Sequence, residues 1–342
     1  MTISSHLLRS LLVVLVIGLL PSCSPSRVRQ FDGQTMGTTY HVTYSSMEGP
    51  GEPEAAQAVE SLLAEINQAI STYIDTSMIS RINASRDTTE WHSVDAHFET
   101  VFLRSRAIYE DTGGAFNPAV GPLVSAWGFG PDGPQPTPDD ATIKNLLKLI
   151  SFEAFDLRVS PPAVQKHLAA ARLDFNAIGE GYAVDAIGAL LEKRGIRNYL
   201  VEIGGEVRAR GRHPDGRDWQ VAIAKPAGDA LATPQIQQVI SLQDSGLATS
   251  GNYRNYRIED GKKISHILNP RTGYPEESSL LSVSVIARDT MTADAYATSL
   301  MVMGLDEALR FVEARGQLKA YFIAKDLAGN LIEKWSSGFP GR

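Results

Sequence analysis

The chain has a single cysteine, Cys23, in 342 residues, so no intrachain disulfide can form and stability has to come from the core and from bound ligands. It also lacks any cluster of Lys and Arg. A formal net charge of −7 leaves no phosphate-neutralising surface of the kind nucleic-acid binding needs. No internal repeat recurs along the chain. Long apolar runs are missing as well, except for residues 11–20, and that run is too short to span a bilayer comfortably.

What is present at the N-terminus explains this one run. Arg9 precedes it and Leu20-Pro21-Ser22-Cys23 follows it, the order of a secretion signal that closes on a cysteine. The small residue before Cys23 and the leucine three before it match a lipoprotein signal, whose cysteine becomes acylated and N-terminal after cleavage. An ordinary signal peptide, or a short anchor with an incidental Cys23, is the alternative. The lipoprotein reading assigns residues 1–22 to the signal, Cys23 to lipidation, 23–30 to a tether and 31–342 to the folded domain. It places the protein in the bacterial cell envelope, held to a membrane, by preference the inner one, and facing the periplasm.

Beyond that segment, a hydrophobic fraction of 43% describes a chain able to bury a large core. Residues 39–44 alternate like a strand, and 48–54 read as a Gly/Pro/Glu-rich loop. Val59, Leu62, Leu63, Ile66 and Ile70 fall on one helical face, as do Phe98, Val101, Phe102, Ser105 and Ile108. Residues 128–140 form a Pro/Gly/Asp-rich connection, followed by a helix over 141–149. From Leu173 the pattern is strand, turn, and helix to Arg194 with Gly195 as its stop. Strands follow at 199–203, 207–210, 219–224 and 281–287, then helices over 292–303 and 306–315. This order predicts an α+β class, a single globular domain with mixed sheets flanked by helices.

Three segments carry candidate chemistry. Asp294 and Thr298, four apart, share one helix face, and a carboxylate with a hydroxyl suits a hard cation such as Mg²⁺; capping and solvation are the plain alternative. Asp174-Phe-Asn-Ala177-Ile-Gly179-Glu180-Gly181 puts glycines at a helix start, where bare backbone can approach a phosphate. Its spacing is neither G-x-G-x-x-G nor a P-loop, and an ordinary tight turn is the alternative. Residues 246–256 and 265–273 combine turn glycines with His266, a base or proton shuttle by its near-neutral pKa, or a structural histidine. Met36 and Tyr73 can contact a flat ring or serve simply as core.

In this order, the segments resemble the ApbE family of FAD:protein FMN transferases. The carriers are Thr35-Met36-Gly37-Thr38, Gly114-Ala115-Phe116-Asn117-Pro118, Gly179-Glu180-Gly181-Tyr182-Ala183-Val184-Asp185, Gly204-Gly205, Thr249-Ser250-Gly251, His266 with Asn269-Pro270-Arg271-Thr272-Gly273, and Asp294-Ala295-Tyr296-Ala297-Thr298. The resemblance implies an enzyme that moves the FMN half of FAD to a Ser or Thr hydroxyl of a target protein, with AMP leaving. By the same resemblance, Asp294, Thr298 and the Ala177 carbonyl hold Mg²⁺, and Met36, Tyr73, Ala115, Phe116, Asn117, Asp174, Glu180 and Leu268 line the FAD site. Some relatives carry a lysine where Glu180 stands and an aspartate where Asn117 stands. His266 and Asp294 are the expected catalytic pair, and a large cleft is expected where the Gly179 turn, His266 and the Asp294 helix meet. Implied acceptors are flavin-carrying subunits of membrane redox complexes such as NADH:quinone reductase or Rnf. An FAD pyrophosphatase giving FMN and AMP, or a non-catalytic flavin-binding lipoprotein, are the competing readings; analysis of the products separates them.

Overall fold

The computed structural model describes residues 28–45, 49–226, 235–252, 256–259 and 261–341; the expected signal segment and Cys23 lie outside them. The described chain opens with β1 (Val28–Thr35) and β2 (Thr38–Ser45), then runs through α1 (Glu52–Ile70), α2 (Met78–Ala84), β3 (His92–Ser93), α3 (Ala96–Asp111), α4 (Gly121–Ala126) and α5 (Asp140–Leu146). A hairpin of β4 (Phe155–Val159) and β5 (Pro162–Lys166) precedes the long α6 (Asn176–Lys193). There follow β6 (Asn198–Ile203), β7 (Glu206–Arg210), β8 (Trp219–Ala224), β9 (Ile236–Leu242), β10 (Ser245–Gly251), β11 (Tyr256–Glu259) and β12 (Lys262–Ser265). The last elements are β13 (Leu280–Ala287), α7 (Thr290–Met303), α8 (Leu305–Glu313), β14 (Lys319–Lys325) and β15 (Leu331–Trp335).

Eight strands form one sheet in the order β1-β2-β6-β7-β10-β13-β14-β15, each neighbouring pair antiparallel. The smaller sheets are β3-β5-β4, β8-β9 and β11-β12. The class is α+β, as expected, with helices against the sheet. Period-two alternation explains why the large sheet is covered on both sides. Along β14, Ala320, Phe322 and Ala324 join the core under the helices, while Tyr321 and Ile323 join a second core beneath the β8–β9 ribbon. Trp219, Ile223, Ile240 and Leu242 of that ribbon fill the second core.

The amphipathic helices stand where their periodicity puts them. Val59, Leu63, Ile66 and Ile70 of α1 and Phe98, Val101, Phe102, Ser105 and Ile108 of α3 are buried. The Asp95 side chain caps α3 by accepting the Phe98 N–H at 2.9 Å. Two expectations need correction. Residues 173–175 pair in no strand; the Asp174 N–H reaches Pro118 O at 2.7 Å, and the Asp174 carboxylate accepts the Asn176 N–H at 2.8 Å, turning the chain into α6. Residues 28–30, expected in the tether, belong to β1 and pair with Ser45, Tyr44 and Thr43.

The helix α7 is buried almost all round, which makes it the central helix of the main core rather than a surface one. Its start lies on β10, where a Cβ at Gly246 would come within 2.4–2.6 Å of the Thr290 N and Cα and the Asp289 carbonyl carbon. Backbone on both sides cannot yield without moving an element. Gly246→Ala is therefore expected to cost about 1–3 kcal/mol of stability through overpacking. Urea unfolding checks this, and a wild-type midpoint would show that α7 is free to shift.

Candidate active site

Two helices and one strand build the most buried corner of the site. At Gly181 of α6 a Cβ would meet Thr290 O at 2.6 Å, Asp294 Cβ at 2.8 Å and Met291 Cα at 2.9 Å, so only glycine lets α6 and α7 come this close. The Gly181 N–H donates to Asp294 Oδ2 at 3.1 Å. One turn earlier, Ala177 has φ −85° and ψ 16°. That ψ lies roughly 60° from the helical value, which marks a kink in the first turn of α6. On α7, one turn after Asp294, the Thr298 hydroxyl lies 3.0 Å from the Ser250 hydroxyl of β10.

This corner is rich in carboxyl groups. Burial, reinforced by the charge of Glu180, pushes the Asp294 carboxyl up to about 8. Glu206 is raised well above the usual carboxylate range by burial and by the charges of Asp294 and Glu180, and its carboxyl shares a side-chain hydrogen bond with that of Glu180. Burial likewise raises Glu180, with the charge of Glu202 adding to it. A Cβ at Gly204 would stand 2.6 Å from Glu180 Oε2 and 3.2 Å from Thr38 Cγ2, which brings the β1–β2 hairpin to the same corner. That hairpin turns on Met36 and Gly37 with φ 51° and 78°, the double positive φ of a two-residue turn matched to strand twist.

A second corner gathers around the buried Asp174, with Tyr73 and His266 more open to solvent. Tyr73 is 59% exposed, and its hydroxyl donates to Phe129 O at 3.2 Å. Burial and the nearby Asp174 charge raise the Tyr73 pKa. Phe129 in turn packs edge-on against His266, ring centroids 6.4 Å apart. His266 stands just beyond the end of β12 at a bend, partly exposed, rather than inside a strand. Burial raises Asp174, which sits beside the turn that Asn117 starts by accepting the Ala119 N–H at 2.9 Å. Arg271 ties the loop after His266 to this turn through Thr112 O and Gly113 O, each at 3.1 Å. The side chains of Ala115 and Phe116 are core, and Leu268 packs with Leu123, Trp127 and Ile143. The two corners meet at the start of α6, where residues 174–177 turn the chain into the helix.

Neither of two sizeable depressions includes His266 or Asp294: one of about 560 Å³ is lined by Arg104, Arg288 and Tyr296, the other of about 730 Å³ by residues 122–142. Among the described residues, no three His, Cys, Asp or Glu side chains converge as a metal-ligand set. Sequence reasoning assigned no role to Ser250, Glu206 or Asp185. Ser250 and Asp185 lay within quoted motifs, but only the fold brings them to α7.

Comparison with known proteins gives the family and the overall fold. The model of the ApbE family matches residues 36–322. The chain belongs to the ApbE family. It is 35% identical to the FAD:protein FMN transferase of Haemophilus influenzae over 96% of this chain and 95% of that protein. The FAD:protein FMN transferase of Escherichia coli K12 is 35% identical over 91% of this chain and 88% of its own. Among solved structures, the flavin transferase ApbE of Vibrio cholerae superposes with a TM-score of 0.81 at 33% identity, covering 92% of this chain and 99% of that one. The apo flavinyl transferase ApbE of Pseudomonas stutzeri gives 0.81 at 34% identity, over 91% and 95%.

The raised carboxyls of this ApbE-family chain have a thermodynamic consequence. Unfolded, Asp294 releases its proton near pH 4; folded, it keeps it to about pH 8. Between these values the folded state binds more protons, so stability falls as pH rises through that window. Protein held in chelator should melt lower at pH 8 than at pH 5.5, and Asp294→Asn should shrink the difference. An undiminished pH slope in the variant would take Asp294 out of the account.

Proposed function

We propose that this protein is an exported, lipid-anchored FAD:protein FMN transferase, which uses Mg²⁺ to move FMN from FAD onto a Ser or Thr hydroxyl of an acceptor protein and releases AMP. The observation that carries this reading is the close approach of α6 and α7 at Gly181, whose N–H donates to Asp294, with Ala177 one turn earlier on α6 and Thr298 one turn later on α7. The donors are a carboxylate, a hydroxyl and a carbonyl, all hard oxygens, which is the set Mg²⁺ takes when phosphate and water complete its octahedron. Asp294, Thr298 and the Ala177 carbonyl would hold Mg²⁺, which would supply electrostatic stabilisation of the charge that develops on the phosphates.

The chain's own residues do the rest. The acceptor oxygen attacks the phosphorus on the FMN side in line, the pyrophosphate bond breaks, and AMP leaves with the bridging oxygen. His266 takes the acceptor proton. Its place outside the buried corner supports this, because an acceptor on another protein has to approach from solvent. Tyr73, Asp174, the turn at Asn117, Met36 and Glu180 orient the two halves of FAD, and such positioning supplies much of the rate. Acceptors are flavin-carrying subunits of membrane redox complexes, such as NADH:quinone reductase or Rnf, reached from an anchor at Cys23. Among the described residues no helix is long and apolar enough to cross a membrane.

The test is to incubate protein lacking residues 1–23 with FAD, Mg²⁺ and a threonine-bearing acceptor domain, following the acceptor by intact mass and the nucleotides by chromatography. An FMN adduct with AMP, both lost in chelator, is expected; FMN and AMP with unmodified acceptor would mean a pyrophosphatase instead. In the same assay His266→Ala should slow transfer by about 10²–10⁴-fold, the range for general-base loss. FAD affinity should stay near wild type, and parallel loss of binding would remove the proton-transfer role.

A further inference from the structure

The stripe on α6 that faces α7 does not stop at Gly181. Ala177, Gly181 and Asp185 follow one another at four-residue spacing and therefore share one face. Gly181 and Asp185 each meet the start of α7 in a different way. Asp185 Oδ1 accepts the Thr290 N–H at 3.0 Å and Oδ2 accepts the Met291 N–H at 2.8 Å. Those are two of the first-turn amides that a helix leaves without partners. The N-cap Asp289 takes the next one, Thr292 N–H, at 2.8 Å, so α7 is capped once from its own chain and once from α6. Arg208 of β7 backs Asp185, with Nη1 3.5 Å from its Oδ1, and the Thr290 hydroxyl donates to Val207 O at 3.1 Å.

We propose that Asp185 is the positioning residue of the cation corner, fixing the distance between the Ala177 carbonyl on α6 and Asp294 and Thr298 on α7. The inference rests on the Mg²⁺ reading above. Its geometry is that of a clamp. Gly181 sets how near the helices can come, and Asp185, one turn on, stops α7 from sliding along α6. Asp294 lies one turn after Thr290, so an axial shift of α7 at Thr290 moves its carboxylate by the same amount. An octahedral Mg²⁺ tolerates little such movement because its oxygen distances are short and its angles strict. A second carboxylate oxygen is essential to the clamp. Asn in place of Asp185 would present an N–H to one of the two amides and release it.

The experiment measures metal binding apart from turnover, with Mn²⁺ as the probe and its free ion read by electron paramagnetic resonance in the presence of FAD. Wild type, Asp185→Asn and Arg208→Gln are titrated at a temperature where circular dichroism shows each to be folded. Asp185→Asn is expected to weaken Mn²⁺ binding about 10- to 100-fold, as removal of groups that orient metal ligands does elsewhere, with metal-free FAD affinity retained. Arg208→Gln should shift it in the same direction by less, and it decides the matter alone should Asp185→Asn fail to fold. Wild-type Mn²⁺ affinity in the folded variants, with only the melting temperature lowered, would overturn the proposal and leave Asp185 a structural cap. Absence of Mn²⁺ binding in the wild type would instead overturn the parent reading of the corner.

Discussion

Everything near the site depends on one constraint: a helix bearing a carboxylate has to run through the main core with almost no clearance. α7 is buried on nearly every side, and Asp294 retains 6% exposure. Close approach is bought with glycine on both flanks, Gly181 of α6 and Gly246 of β10, where any Cβ would strike backbone. Such packing fixes α7 in translation and rotation at once, which a surface helix held by one apolar stripe could not match. The cost is several carboxyl groups in a poorly solvated place. Their raised pKa values show that cost, since burial disfavours the charged form unless a cation or hydrogen bonds compensate.

The sheet explains why the corner forms where it does. β10 lies at the middle of the eight-stranded order, between β7 and β13, and carries Ser250 at the height of Thr298. β7 supplies Glu206 at one end and Arg208 farther along, so one strand provides both a buried carboxyl beside Glu180 and the cation behind Asp185. Neither residue could take its position from a helix, because only alternate residues of a strand face α6 and α7.

Much of the fold was legible because its periodicities are local. The stripes of α1 and α3, the glycine stop after α6 and the central strands appear where their patterns place them. β1 was missed because Arg29, Gln30, Asp32 and Gln34 give an edge strand little apolar signature; its ladder to β2 decides it. The false strand at 173–175 has the same origin: Leu173 and Phe175 are buried for reasons of tertiary packing and pair with no neighbour. Site residues divide in the same way. Asp294 and Thr298 are a helical pair that four-residue spacing can reveal, whereas Ser250, Glu206 and Arg208 become relevant only when β7 and β10 are laid beneath α7.

The two corners differ in burial, and that difference matches the proposed division of labour. Asp294 and Glu206 are almost sealed from water, which strengthens electrostatic attraction to a cation or to phosphate. Tyr73 is mostly exposed and His266 partly so, and both stand on loops tied down by hydrogen bonds from neighbouring segments. A protein acceptor can present a hydroxyl only to an open corner, while a pyrophosphate is best polarised in a closed one. A site serving both partners must therefore join a rigid, desolvated half to an accessible half within the length of a dinucleotide. The kinked first turn of α6 makes that junction: buried Asp174 lies near Tyr73, half-buried Ala177 stands one turn before Gly181, and three residues of backbone separate the two.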